Sequence, residues 1–207
     1  LGANFNFLRF GDTSRTTYSN PGGNGLGDVG MSDLAAGVGY GRELVEGLRL
    51  GAGFKFIRES IAGVSAQGYA LDLGAQHDLA ALRGLTLGLA VQNMGPAVRF
   101  QKARENLPLN LRLGAAYRFK LLGQDNAAAL DFTKERSESP LVGLGVETLA
   151  AGVLPIRLGF NTRNQAGPGV SFGLGFKHDN FGVDYALSPY GELGMSHRVS
   201  VTLRCGD

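Results

Sequence analysis

The feature that most limits what this chain can fold into is a two-residue alternation that recurs along almost its whole length. Between 110 and 120, Leu111, Leu113, Ala115, Tyr117 and Phe119 fall on one face. Asn110, Arg112, Gly114, Ala116, Arg118 and Lys120 fall on the other. Val199, Val201 and Leu203 alternate in the same way with Arg198, Ser200, Thr202 and Arg204, and Phe172, Leu174 and Phe176 with Ser171, Gly173, Gly175 and Lys177. A strand turns successive side chains to opposite faces, so this period predicts strands. No segment of convincing length has a helical period. The pattern predicts twelve strands, over 1–10, 33–43, 47–58, 66–77, 83–93, 108–120, 126–134, 140–149, 155–163, 169–178, 181–188 and 196–205. The apolar stretch 78–82 is expected to be a short connection.

The connections alternate in length. Those after odd-numbered strands are mostly long, as at 11–32, 94–107 and 189–195, and those after even-numbered strands are mostly tight, as at 44–46 and 179–180. Outer-membrane barrels carry this asymmetry, with long extracellular loops and short periplasmic turns. A sandwich with Greek-key crossings has no reason to keep it. The long loops are therefore expected outside and the tight turns on the periplasmic side.

Alternation alone does not say which face meets water, since a soluble lipid-binding barrel has the same period with its apolar face inward. Composition decides. Glycine supplies 33 of 207 residues, and charged residues only 18%, against roughly 7% and 25% in ordinary soluble proteins. Much of that glycine lies on the non-apolar face, at Gly37, Gly39, Gly51, Gly53, Gly88, Gly114, Gly143, Gly145, Gly159, Gly173 and Gly175. Glycine weakens a strand and gives a solvated outer face no solubility. A twelve-stranded barrel is also too wide for one layer of side chains to fill. With the apolar face outward into lipid, small residues leave room in the lumen and the charges sit in water. The expectation is all-β: an antiparallel up-and-down transmembrane β-barrel of the bacterial outer membrane, one domain over 1–207.

Other classes are excluded more simply. The net charge of +2, without a basic run, gives no nucleic-acid footprint. The single cysteine, Cys205, permits no intrachain disulfide or multi-cysteine metal site. His77, His178 and His197 lie far apart, and His77 and His178 fall at strand ends. No nucleophile elbow accompanies them, so neither an enzyme nor a cofactor is expected. Gly25, Gly27 and Gly30 match a dinucleotide fingerprint, but a loop precedes them and a strand follows, where that motif needs a strand and then a helix. No run of 18 apolar residues provides a membrane helix, and barrel strands need none. The chain begins at Leu1 with no initiator Met or signal peptide and is expected to be a C-terminal portion.

The candidate functional residues are the charges that share the glycine-rich face: Arg49, Lys55, Asp72, Arg112, Glu147, Arg157, Lys177, Asp184, Arg198 and Arg204. They are expected to line the lumen. Charged rings can select solutes in a pore, but the mixed signs here favour cross-strand ion pairing. Symmetric pairing about Gly191 would set Asp184 opposite Arg198, as a lumenal ion pair, and Tyr185 opposite His197.

Several short motifs, in order, resemble the PorV/PorQ outer-membrane family, related to the FadL-type barrels. They are Ser32-Asp33-Leu34-Ala35, Gly68-Tyr69-Ala70-Leu71-Asp72-Leu73-Gly74, and Leu87-Gly88-Leu89-Ala90-Val91-Gln92-Asn93-Met94-Gly95. Leu107-Pro108-Leu109, Leu113-Gly114, Asp184-Tyr185-Ala186, Pro189, Gly191, Leu193-Gly194 and His197-Arg198-Val199-Ser200 continue the series. The resemblance implies a fourteen-stranded barrel with an N-terminal plug, of which this chain would lack the plug and first two strands. It departs at the end, where Cys205 stands in place of a closing aromatic residue. PorV-like members imply a secretion accessory that hands cargo to the type IX secretion machinery and surface attachment. FadL-like relatives imply a passive channel for small hydrophobic compounds. The partners implied are outer-membrane lipid, secretion-machinery proteins or cargo, or a hydrophobic ligand.

Overall fold

The computed structural model describes residues 1–100, 103–162 and 167–204. Twelve strands form one sheet in the order of the chain. They are β1 (Gly2–Ser14), β2 (Asp28–Val45), β3 (Leu48–Ile61), β4 (Val64–Asp78), β5 (Leu85–Met94), β8 (Asn110–Leu121), β9 (Gln124–Glu135), β10 (Leu141–Ala150), β11 (Leu154–Asn161), β12 (Val170–His178), β13 (Phe181–Pro189) and β14 (Met195–Leu203). The short strands β6 (Val98–Phe100) and β7 (Ala103–Glu105) form a separate antiparallel hairpin. Among the described residues the one helix is a 3-10 turn, Gly191–Leu193. Cys205 and the end of the expected strand 155–163 lie outside the described residues.

The twelve expected strands are present, with most ends moved by a few residues. The difference that breaks the length rhythm falls between β3 and β4. Each runs longer than expected, and Ala62 and Gly63 alone join them, both at positive φ. Two central residues at positive φ make the turn whose twist matches the flanking strands. Leu122 and Gly123 join β8 to β9 in the same way. Elsewhere among the described residues the rhythm holds between neighbours: 15–27, 95–109, 136–140 and 190–194 are each longer than the connections beside them among 46–47, 79–84, 122–123, 151–153 and 179–180. Of the glycine fingerprint, Gly25 and Gly27 lie in a loop at positive φ, and Gly30 already lies in β2.

The chain divides into two compact units. The first comprises Leu1–Val45, Arg49–Ala75 and Ala90–Asn110. In it β1 and β2 pair antiparallel from Gly2 against Gly39, with one irregularity between Phe10 and Thr13. On β4, Tyr69, Leu71 and Leu73 stand about half exposed while the alternating Ala66, Gly68 and Ala70 are buried. Tyr69 stacks with Phe54 and tilts against Phe56 of β3 on the exposed face.

The second unit comprises Glu46–Leu48, Gln76–Leu89 and the chain from Leu111 onward. Its sorting is the same. Leu144, Val146, Ile156, Leu158, Phe160, Phe172, Leu174 and Phe176 are exposed, while Gly143, Gly145, Gly159 and Gly173 between them are half-buried and Gly175 is buried. A water-soluble sheet protein puts its large apolar side chains where they are covered. In both units they are the uncovered ones, and the small residues lie on the sheltered face.

Candidate functional site

Each unit carries a polar cluster on its glycine-rich face, and the second has a further one in which Arg118 Nη1 donates to Thr86 Oγ1 at 3.4 Å and Thr86 Oγ1 to Asp78 Oδ1 at 2.7 Å. In the second unit, Glu147 and Arg157 stand directly opposite across β10 and β11, and Arg157 Nε donates to Glu147 Oε2 at 2.5 Å. The same guanidinium reaches two strands further along, and Nη1 donates to Asp184 Oδ1 on β13 at 2.5 Å. That span has to cross β12, because neighbouring strands lie roughly 4.8 Å apart. The residues it passes are glycines. Gly173 faces Arg157 and Gly175 faces Asp184 in the register. A Cβ on Gly173 would stand 3.1 Å from Arg157 Cβ and 3.4 Å from its Cδ. A Cβ on Gly175 would meet Asp184 Oδ1 and also lie 2.9 Å from Pro155 Cγ. The two glycines are thus the path of the ion-pair network. Arg157, with its fork of donors, can serve two carboxylates at once, which a lysine ammonium does with less geometric fit.

In the first unit, Lys55 Nζ on β3 contacts Asp72 Oδ2 on β4 at 2.8 Å and donates to Asn93 Oδ1 at 2.5 Å. Asn93 completes the ring. Its backbone N donates to Asp72 Oδ1 at 2.8 Å, and its Nδ2 donates to the Pro108 carbonyl at 2.9 Å. By the alternation of Leu87, Leu89 and Val91, Asn93 belongs on the apolar face. Its φ of 60° breaks the alternation and brings the side chain to Lys55. Asparagine is among the few side chains that enter this left-handed region at low cost.

The chain that follows Asn93 folds back over β4. Gly95 lies against the Tyr69 carbonyl, where any Cβ would collide, and that Cβ would also sit 2.7 Å from Leu107 Cδ1. Val98 and Leu107 are each 4% exposed and cluster with Ala66 and Ala70, and Ile57 packs against them. Sequence reasoning placed 94–107 as an external loop and missed this docking. The one local signal was the stretch Asn93-Met94-Gly95-Pro96 closing an apolar alternation.

Of the ten charged candidates, the structure brings together Glu147, Arg157 and Asp184 in one unit, and Lys55 and Asp72 in the other. Arg49 lies on β3 in the alternation of Lys55. Arg112 lies on β8 two residues from Gly114, and Lys177 on β12 faces Gly182. Arg204 follows β14, and its backbone N donates to the Asn180 carbonyl at 2.8 Å.

Arg198 does not face Asp184. The register sets Asp184 against Ser200 and Ala186 against Arg198. The cause is the connection: Tyr190 N bonds to the Gly194 carbonyl around the 3-10 turn, and Pro189 pairs with Met195. The hairpin is therefore centred on Glu192 rather than Gly191, and one residue at the centre becomes two in the register. The parity is unchanged, so both charges keep the expected face, but the partner of Asp184 is Arg157. Tyr185 likewise faces Val199, although its hydroxyl reaches His197 Nδ1 diagonally at 2.6 Å. His178 ends β12, exposed, with its Nε2 3.4 Å from Asp179.

No family model matches the chain, and no curated protein matches it. A solved structure does. The chain is similar to the toluene transporter TodX of Pseudomonas putida, with a TM-score of 0.59 at 14% identity, over 89% of this chain and 72% of that one. At this identity the likeness is one of fold: an all-β, antiparallel, up-and-down β-barrel. The similar structure is that of a transporter, not an enzyme.

Proposed function

We propose that this chain is the barrel of an outer-membrane channel for small hydrophobic compounds, of the FadL-like kind. The observation that carries this reading is the inverted burial in both units: large apolar side chains uncovered, glycine and charge sheltered. Lipid is the solvent in which such a surface is stable, and a wet interior is where mixed charges belong. The same observation speaks against a soluble lipid-binding barrel, whose apolar face would be covered. The likeness to a toluene transporter supports a hydrophobic cargo. The type IX secretion role implied by the PorV/PorQ resemblance gains no support from it. In this reading Arg49, Lys55, Asp72, Arg112, Glu147, Arg157, Lys177, Asp184, Arg198 and Arg204 line the lumen, and their ion pairs hold the wall.

The test is uptake of toluene by liposomes containing the protein. A rate above that of empty liposomes is expected, and equal rates would sink the proposal. Recovery of the protein in the aqueous phase without detergent would overturn the membrane assignment itself.

A further inference from the structure

We propose that three neighbouring turns of the second unit, 79–84, 122–123 and 151–153, are a lipid-seated anchor, held at the headgroup boundary of a phospholipid layer. This inference rests on the membrane reading and goes beyond it, by naming what meets an end of the sheet that turn chemistry alone would leave in water.

Turns that meet water are built mainly from Gly, Asn, Asp, Ser and Pro. These three hold Ala80, Ala81 and Leu82, then Leu122, then Ala151 and Val153. Leu82 and Leu122 are 50 and 91% exposed, and Leu121, just before the second turn, 57%. Leu122 and Ala151 stand at φ of 53° and 51°, a left-handed position that glycine or asparagine takes at lower cost. Neither packing within the chain nor turn chemistry accounts for apolar residues there. The turns on either side in sheet order, 46–47 and 179–180, carry Glu46, Asp179 and Asn180, so the apolar stretch is local. It also prolongs the uncovered face. Leu121 ends the alternation of Tyr117 and Phe119 on β8, whose rings stack at 5.7 Å, and Leu154 opens that of Ile156 and Leu158 on β11. β11 has eight residues, which at the rise and tilt of a membrane strand cover ~20 Å, short of the ~25 Å apolar band. An apolar turn at 151–153 makes up that shortfall.

Backbone groups of these turns are paired within the chain, as contact with lipid requires. Ala151 N donates to Gln124 Oε1 at 3.0 Å, and Val153 N to the Ala150 carbonyl at 3.2 Å. The Val153 carbonyl accepts from Lys177 N at 2.7 Å, and the Leu79 carbonyl from Leu82 N at 3.1 Å. Asn126 Nδ2 donates to the Gln124 carbonyl at 2.8 Å, just past the turn 122–123. Gln124 and Asn126 thus give their amides to backbone while the apolar side chains stay uncovered, the reverse of a turn that relies on solvent. Arg83 is the charge among the three turns, and its stem can lie along lipid with its head among the phosphates. At the headgroup boundary a side chain is only partly dehydrated, so the anchor sets the depth of the sheet and adds little to its stability.

Depth is read directly by quenching. Leu82→Cys, Leu122→Cys and Ala151→Cys, each in the full chain carrying Cys205→Ser, are labelled with an environment-sensitive fluorophore in phosphatidylcholine–phosphatidylglycerol vesicles. Asn180→Cys, in a polar turn, is the reference for water, and Leu144→Cys, mid-strand on the uncovered face of β10, is the reference for lipid. Quenching by a spin label carried on the lipid should exceed quenching by aqueous iodide at 82, 122 and 151, and the order should reverse at 180. Gln124→Leu should then raise iodide quenching at 151 and leave it unchanged at 82, a local shift that a general loosening of the fold would not give. An unmoved 151 overturns the part given to Gln124. Iodide quenching at the three tips equal to that at 180, with 144 quenched from lipid, overturns the anchor and leaves the membrane reading standing. Iodide quenching that dominates at 144 as well overturns both.

Discussion

Arg157→Met removes the cation that joins β11 to both β10 and β13. Two carboxylates, Glu147 and Asp184, are left converging on a methionine. At a charge separation near 4 Å, each pair is worth ~4 kcal/mol at an effective dielectric of 20 before desolvation is counted. The side chains of Arg157, Glu147 and Asp184 keep 31, 33 and 26% of their surface exposed, so solvent screens a large part of that attraction. The cost should sit near the lower end of the range for unpairing a buried charge, about 3 kcal/mol. That is roughly 160-fold in the folding equilibrium. The chain has no tryptophan, so guanidinium unfolding in lipid vesicles is best followed by far-ultraviolet circular dichroism. Arg157→Lys keeps the charge and loses the fork, and should recover less than half of the loss. A loss below ~1 kcal/mol, the range of exposed surface pairs, or a lysine variant as stable as the wild type, would refute the reasoning.

Gly173→Val places a side chain in the path of Arg157 and should cost about as much as Arg157→Met. Combined with Arg157→Met it should add little, since both break one network, and strict additivity in a double-mutant cycle would count against the crossing. Leu122 is 91% exposed at a φ of 53°, so Leu122→Asn should raise stability by ~0.5–1 kcal/mol with an unchanged denaturant slope, by relieving left-handed strain. Gly95→Ala, which drives a Cβ into the Tyr69 carbonyl, should lift Val98 and Leu107 off β4, measured as faster protease cleavage next to them. For topology, Asn20→Cys should label on intact cells and Glu46→Cys should not, each in a Cys205→Ser background. The reverse result would invert the barrel.

The alternation of residues determined the strands and their faces, because side-chain direction in an extended chain is set by local backbone geometry. Twelve strands and the glycine-rich face were legible for that reason. Partners were not. Asp184 meets Arg157 rather than Arg198 because a partner depends on the centre of a hairpin and on which intervening strand is stripped to glycine. Neither quantity is local. The docking of Gly95, Val98 and Leu107 onto β4 was hidden for the same reason. A loop that docks looks like a loop that does not, until Gly95, the small residues of β4 and the reversed backbone at Asn93 are brought together. Period decides the face that a residue takes, and tertiary contact decides the residue that it meets there.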